Sequence, residues 1–232
     1  MSTKDIILTI DVDWAPEEMI EDTLLVLEEY KVKATFFCTH KSPLLLNQKE
    51  HELGIHPNFI PLIEGNSKKT KEQIVDELLD IYPDAKGVRA HGLVQSSGIM
   101  QLYIDKGLKY DSNILLPYQQ IDKYVYDEFK NFKRNVYNWS DDVHMLYKVD
   151  DFSKICINES GKNIIAFHPF HIFANTQTMA KYSELKKYYT DAAMIKKHRV
   201  LNEFGVRSYF LEVLKIIKDK GLSTPLLNEK LK

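Results

Sequence analysis

A chain of 232 residues, 44% hydrophobic and 28% charged, has the makeup of an ordinary soluble globular protein. At this length an α/β barrel fits as one domain and buries roughly 70% of its unfolded surface. A formal net charge of -2 gives no electrostatic basis for nucleic-acid binding, and two cysteines without a CxxC pair exclude a disulfide framework or a cysteine-ligated zinc.

Ile6 to Ile10 reads as a first strand that runs directly into Asp11 and Asp13. On an extended strand these two carboxylates project from one face. Like charges held there need a cation, an arginine or a shared proton. The competing reading makes Asp11 a turn residue and Asp13 a cap for the helix that follows, Pro16 to Tyr30, with Met19, Ile20, Leu24 and Leu27 on one face. The first strand begins too early to leave room for a secretion signal, and no apolar run approaches the roughly 18 residues needed to cross a bilayer. A cytoplasmic location without a membrane span is therefore expected.

Ala34 to Cys38 is a second strand and Glu52 to His56 a third, followed by a helix from about Thr70 to Tyr82 that Pro83 closes. Gly87-Val88-Arg89 is a short fourth strand. A helix near Ser97 to Lys106 stops at Gly107, and Leu108 to Asn113 resumes as a fifth strand. The segment 118–133 is too polar and irregular to place. Val136 to Trp139 is a weak sixth strand, the run around Cys156 reads as buried strand, Ile164 to His168 is a strong seventh, and a helix spans Tyr209 to Lys220. Strands separated by helices imply right-handed βαβ units and a parallel sheet, open or rolled into a barrel.

In such folds chemistry collects at the C-terminal ends of strands. Those ends carry Asp11 and Asp13, His40, His56 and Asn58, Arg89 and His91, and His168 and His171, so five of the eight histidines share one rim. In the seventh strand, alternation places Ile164, Ala166 and His168 on the barrel-facing side, whereas His171 lies beyond Pro169 and only flanks the site. Arg89 is the natural counter-ion for a buried carboxylate. Trp139-Ser140-Asp141-Asp142 offers an aromatic face and two carboxylates, although a helix N-terminus accounts for Ser140 to Asp142 equally well.

Taken in order, Thr9-Ile10-Asp11-Val12-Asp13, Ala34-Thr35-Phe36-Phe37, His51-Glu52-Leu53-Gly54-Ile55-His56, Arg89, Gly107 to Asn113 and the strand ending at His168 resemble the NodB-homology polysaccharide deacetylases, carbohydrate esterase family 4. The resemblance implies one domain over residues 1–232 folded as a distorted (β/α) barrel of seven or eight strands. It also implies a divalent metal, zinc first among candidates, bound by Asp13 and His56. Asp11 is then the general base with Arg89 orienting it, and His168 is the acid with Asp141 or Asp142 behind it. The family's second histidine ligand would fall four residues after His56, where Ile60 stands, and its R-x-P-x-G motif reads Arg89-Ala90-His91-Gly92. His91 is the economical replacement ligand, with Asn58 and His40 as rivals.

Asn58, Trp14 and Trp139 are candidates for contacting substrate. The implied activity is removal of an N-acyl group, acetyl first, from a sugar or saccharide precursor. Hydrolysis of a non-sugar amide or cyclic imide, and a non-catalytic carbohydrate-binding barrel, are the alternatives. The partner is thus a carbohydrate or small amide, and the sequence leaves the oligomeric state open.

Overall fold

The computed structural model describes residues 5–147, 151–158 and 160–231. Its strands are β1 (Ile7–Asp11), β2 (Thr35–Cys38), β3 (Glu52–Ile55), β4 (Gly87–Val88), β5 (Tyr110–Leu115), β6 (Val125–Phe129), β7 (Phe132–Tyr137), β8 (Trp139–Ser140) and β9 (Ile164–Phe167). Among the described residues they form one sheet in the order β6-β7-β5-β4-β3-β2-β1-β9-β8. Every pairing is parallel except that of β6 with β7.

The interspersed helices are α1 (Glu17–Tyr30), α2 (Pro43–Leu46), α3 (Ile60–Ile63), α4 (Lys71–Ile81), α5 (Ser97–Asp105), α6 (Asp141–Leu146), α7 (Pro169–Ala174), α8 (Met179–Lys186), α9 (Ala192–His198) and α10 (Val206–Asp219). Met19, Ile20, Leu24 and Leu27 of α1 are buried, as their helical spacing requires, and Glu17 and Glu18 sit favourably in its first turn. A capping box between Thr70 and Gln73 starts α4. In α10 the buried stripe Val206, Tyr209, Phe210, Val213, Leu214 and Ile217 presses on the barrel wall.

The sheet curls until its two ends share one strand. β7 and β8 are halves of a single run broken at Asn138; the first half pairs with β5 and the second with β9. Asn138 makes the transfer by donating its backbone N–H to Ile164 O (3.1 Å) and accepting from Ile164 N–H through Oδ1 (3.0 Å). This closure gives the distorted (β/α) barrel that the sequence leads one to expect. Period-two alternation then divides the apolar residues: Ile7, Phe37, Tyr110, Val136, Ile164 and Ala166 fill the barrel, while Ile6, Leu8, Ile10, Phe36, Ile165 and Phe167 face the helices. At Gly87 a Cβ would lie 2.1 Å from the Tyr110 ring, so only glycine lets that tyrosine cross the interior.

Three sequence expectations change. Residues 118–133 hold β6 and the start of β7, a solvent-facing antiparallel hairpin whose polar composition hid it. The sixth strand begins at Phe132 rather than Val136. Cys156 lies in an irregular, half-exposed segment and not in a buried strand; its amide donates to the Tyr209 hydroxyl (3.0 Å) instead of a neighbouring strand.

Candidate active site

A cavity of about 240 Å³ opens at the C-terminal ends of the strands and is lined by Asp11, Asp13, His56, His91, Tyr137 and His168, among others. Asp11 ends β1 and points inward with Ile7 and Thr9. Asp13 is not an extension of that strand: its φ of +47° and the +57° of Trp14 form a left-handed turn that side-chain-bearing residues adopt only when the surroundings hold it. Tyr189 donates its hydroxyl hydrogen to Asp13 O, and Trp14 N–H donates to Thr39 Oγ1 (2.8 Å). Tyr189 is itself stacked flat on Phe170, with ring centroids 4.6 Å apart. The turn thus brings both carboxylates to one cavity by a route different from simple alternation. Asp13 does not cap α1, whose N-cap is Pro16 and receives no side-chain hydrogen bond.

Arg89 is fully buried behind Asp11. Its Nη1 donates to Asp11 Oδ1 (2.8 Å) and Thr9 Oγ1 (2.9 Å), its Nε to Ser112 O (3.0 Å) and its Nη2 to Ser112 Oγ (2.8 Å). The guanidinium also lies against the rings of Phe37 and Tyr137, 4.6 and 4.1 Å from their centroids. A buried arginine with this many partners cannot swing, so Asp11 is held in one orientation.

On the other side of the cavity, Asp13 Oδ1 lies 3.1 Å from His56 Nε2 and 2.9 Å from His91 Nδ1. Burial opposes the ionised carboxylate, but the two imidazoles hold Asp13 well below the usual carboxylate range. His91 shifts the other way: partial burial disfavours its charge, and the Asp13 hydrogen bond raises its pKa above the ordinary value. One ligand atom from each of Asp13, His56 and His91 lies within 4.8 Å of the others. Two imidazole nitrogens and a carboxylate oxygen converging on one point suit zinc or another first-row divalent ion. His56 Nδ1 is buried without a partner among the described residues, so this imidazole lacks the outer hydrogen bond usual for a metal-ligating histidine. His91 reaches the cluster from a 3-10 turn, His91–Leu93, in which Gly92 and Leu93 take φ of +62° and +56°.

His168 completes the cavity. Asp141, fully buried at the start of α6, receives His168 N–H at Oδ2 (2.9 Å), and its Oδ1 lies 2.6 Å from His168 Nδ1. Burial disfavours the imidazolium, yet the Asp141 carboxylate overcomes it and raises the His168 pKa well above the ordinary value. Asp142 instead accepts from Val143 N–H (2.7 Å), so the helix-terminus reading and the histidine-partner reading both hold, each for one residue. His171 flanks the site, buried with Nδ1 3.2 Å from Thr176 Oγ1, and burial pushes its pKa down to about 3.

The remaining candidates are placed elsewhere. Trp139 is 2% exposed and stacked on Tyr209 at 4.3 Å, on the helix-facing side of the barrel, and does not touch the cavity. Strand alternation explains this, because Ser140 and not Trp139 faces inward. Trp14 and Asn58 line an adjoining chamber. His40 places Nδ1 3.0 Å from Thr39 Oγ1 and is not part of the ligand cluster. Thr9 and Ser112, which brace Arg89, lie inside the first-strand and Gly107 to Asn113 motifs but are not singled out by them, and Tyr137 carries no signal beyond inward strand parity. Tyr189 carries none, being 176 positions from its partner.

Carboxylates and imidazoles thus gather at the C-terminal mouth of a closed β/α barrel, where sites of this fold class are built. The polysaccharide deacetylase model described as WbmS-like matches residues 8–186. The chain belongs to that family. A Bordetella bronchiseptica structure, assigned as a polysaccharide deacetylase involved in O-antigen biosynthesis, is 31% identical, with 92% of this chain and 91% of that one covered and a TM-score of 0.85. The peptidoglycan deacetylase PdaC of Bacillus subtilis shares the fold at 12% identity, covering 98% and 89% of the two chains with a TM-score of 0.52. A carbohydrate esterase family 4 pseudoenzyme from Bacillus anthracis does so at 13% identity, covering 99% and 66%, also with a TM-score of 0.52. No curated protein sequence matches the chain.

Proposed function

We infer that the protein is a metal-dependent deacetylase that hydrolyses the N-acetyl group of an amino sugar in a saccharide or saccharide precursor. The observation that carries this is the convergence, in one cavity, of a braced carboxylate, a carboxylate–imidazole cluster and a carboxylate-backed histidine. The sugar class rests on the family and on the description of the Bordetella relative.

Asp13, His56 and His91 would hold the divalent ion, zinc being our first assignment. Such an ion, when bound, lowers the pKa of water and polarises a carbonyl. Asp11 accepts the proton of the attacking water, and Arg89 holds the carboxylate aimed into the cavity. His168 gives a proton to the departing amine nitrogen, a poor leaving group until protonated. Because Asp141 occupies Nδ1, the proton leaves from Nε2, the nitrogen that lies 3.7 Å from Asp13 Oδ2. Acetate and a free amino sugar result.

One observation favours a second reading, a carbohydrate-binding barrel without turnover: His91, the third member of the cluster, opens a 3-10 turn whose next two residues are left-handed. Acetate release from N-acetylated amino sugars in the presence of zinc separates the two. Release that disappears in D11N supports the enzyme, and tight sugar binding with no release supports the binding protein.

A further inference from the structure

The stretch from Lys181 to Arg207 carries seven lysines and arginines against three carboxylates, a local net charge of +4 in a chain whose total is -2. Pairing removes part of that charge. Lys181 holds Glu184 (3.1 Å), Arg207 reaches back to Asp22 on α1 (2.5 Å), and Asp191 is spent on the start of α9, where its Oδ1 accepts Met194 N–H (3.0 Å). Lys186, Lys187, Lys196 and Lys197 remain, all exposed and none paired with a carboxylate among the described residues.

Aromatic contacts gather these cations on one surface. Tyr188 is stacked on His198 at 5.2 Å and has Lys187 Nζ 4.9 Å from its ring centre, while Phe173 has Lys196 Nζ and Arg199 Cζ at 5.4 and 5.0 Å. The loop after α9 then leaves Leu201 52% and Phe204 47% exposed. Looseness is not the reason, because Asn175 Nδ2 grips that loop at Val200 O (2.7 Å) and Glu203 O (3.0 Å). Helix ends account for Lys186, Lys196 and Lys197, which sit favourably in the last turns of α8 and α9. They do not account for two apolar side chains held in water beside four unpaired cations. Apolar anchors set within a lysine cluster match the phosphates and acyl boundary of an anionic lipid surface. A nucleic-acid strand would need free rings for its bases, whereas Tyr188 and Phe173 are already covered and Leu201 offers none.

We propose that the α8–α9 face docks on an anionic membrane surface, with the lysines on the lipid phosphates and Leu201 and Phe204 set between the headgroups. The same segment supplies Tyr189, whose hydroxyl donates to Asp13 O, so the docked face adjoins the wall of the cavity.

Co-sedimentation of the full chain with vesicles of equal parts phosphatidylglycerol and phosphatidylcholine, compared with pure phosphatidylcholine, tests this. The expected result is binding about tenfold or more tighter to the anionic vesicles, weakening as salt rises. K196E/K197E and, separately, L201S/F204S should each lose about tenfold or more of that affinity while keeping the wild-type melting temperature. K186E/K187E, on the neighbouring helix, reports on the charges independently should either variant fold poorly. Equal affinity for the two vesicles, binding to neither, binding that survives both charge reversals and L201S/F204S, or equally tight capture of single-stranded RNA that the same variants lose would overturn the proposal. None of these side chains lines the cavity, so the outcome is independent of the deacetylase reading.

Discussion

Asp13 joins three features in one residue: a left-handed backbone, a carboxylate contacted by two imidazoles, and a carbonyl gripped by Tyr189. Fixing the carbonyl fixes the direction in which the carboxylate leaves the turn, as an outer hydrogen bond would for the metal ligand proposed here. Replacing Tyr189 by Phe removes the hydroxyl but keeps the stack on Phe170. Zinc affinity in Y189F should fall about 10- to 100-fold by competitive chelator titration, with the melting temperature nearly unchanged. Asp11 sets a contrasting expectation, because the proposed mechanism has it accept a proton from water rather than bind the ion. D11N should lower turnover about 10²- to 10⁴-fold while still taking up one equivalent of zinc, and acetate release measured beside metal content tests both halves.

At the scale of elements, closure of the barrel depends on Asn138, whose amide also donates to Gln119 O and Lys162 O (both 3.3 Å). N138A leaves the Ile164 N–H without its acceptor in a buried setting. Unsatisfied buried groups cost about 1–3 kcal/mol each, so a loss of about 2–4 kcal/mol is expected from denaturant unfolding. The β5–β7 pair carries a pH signature. Asp111 is fully buried, and burial raises its pKa to about 6 despite Arg134, whose Nη2 lies 3.1 Å away. A carboxyl with a raised folded pKa holds its proton better in the native state, so its contribution to stability is complete below pH 3.8 and is lost as pH rises through about 6. Comparing wild type with D111N from pH 4 to pH 6.5, the variant's stability should rise relative to wild type by about 2–3 kcal/mol.

Much of this level could be read from residues alone. The strands with continuous apolar runs and the helices with clean periodicity emerge in place because a barrel buries both faces of its strands. The hairpin at β6 did not, since an exposed antiparallel pair needs no apolar face, and neither did the short helices α2, α3 and α7, which are held by tertiary packing rather than by pattern. In the site, strand ends singled out Asp11, Asp13, His56, Arg89, His91 and His168. Trp139 is not placed by the sequence, because parity on a two-residue strand beside the break at Asn138 is invisible before the break is known.

The whole molecule depends on chain segments beyond the matched residues 8–186. Tyr189 reaches back to the ligand turn, and the C-terminal turn, Leu227–Lys230, seals the end of the barrel opposite the cavity. There Leu227 N–H donates to Thr35 Oγ1 (3.0 Å), Asn228 N–H donates to Glu52 Oε2 (3.1 Å), and the Leu227 side chain is fully buried in the interior cluster. L227A should destabilise the fold by about 2–4 kcal/mol in chemical denaturation, with the ligand cluster at the far end still able to bind zinc. Among the described residues, no helix is long and apolar enough to cross a membrane.

In the function proposed here, Asp13, His56 and His91 together hold a divalent ion. Zinc titration with metal analysis, run on wild type, H56A, H91A and D11N, tests it most directly. One tightly bound equivalent is expected in wild type and D11N, and affinity at least a hundredfold weaker in H56A and H91A. Wild-type protein that takes up no divalent ion, or an H91A variant that binds it as tightly as wild type, would contradict it.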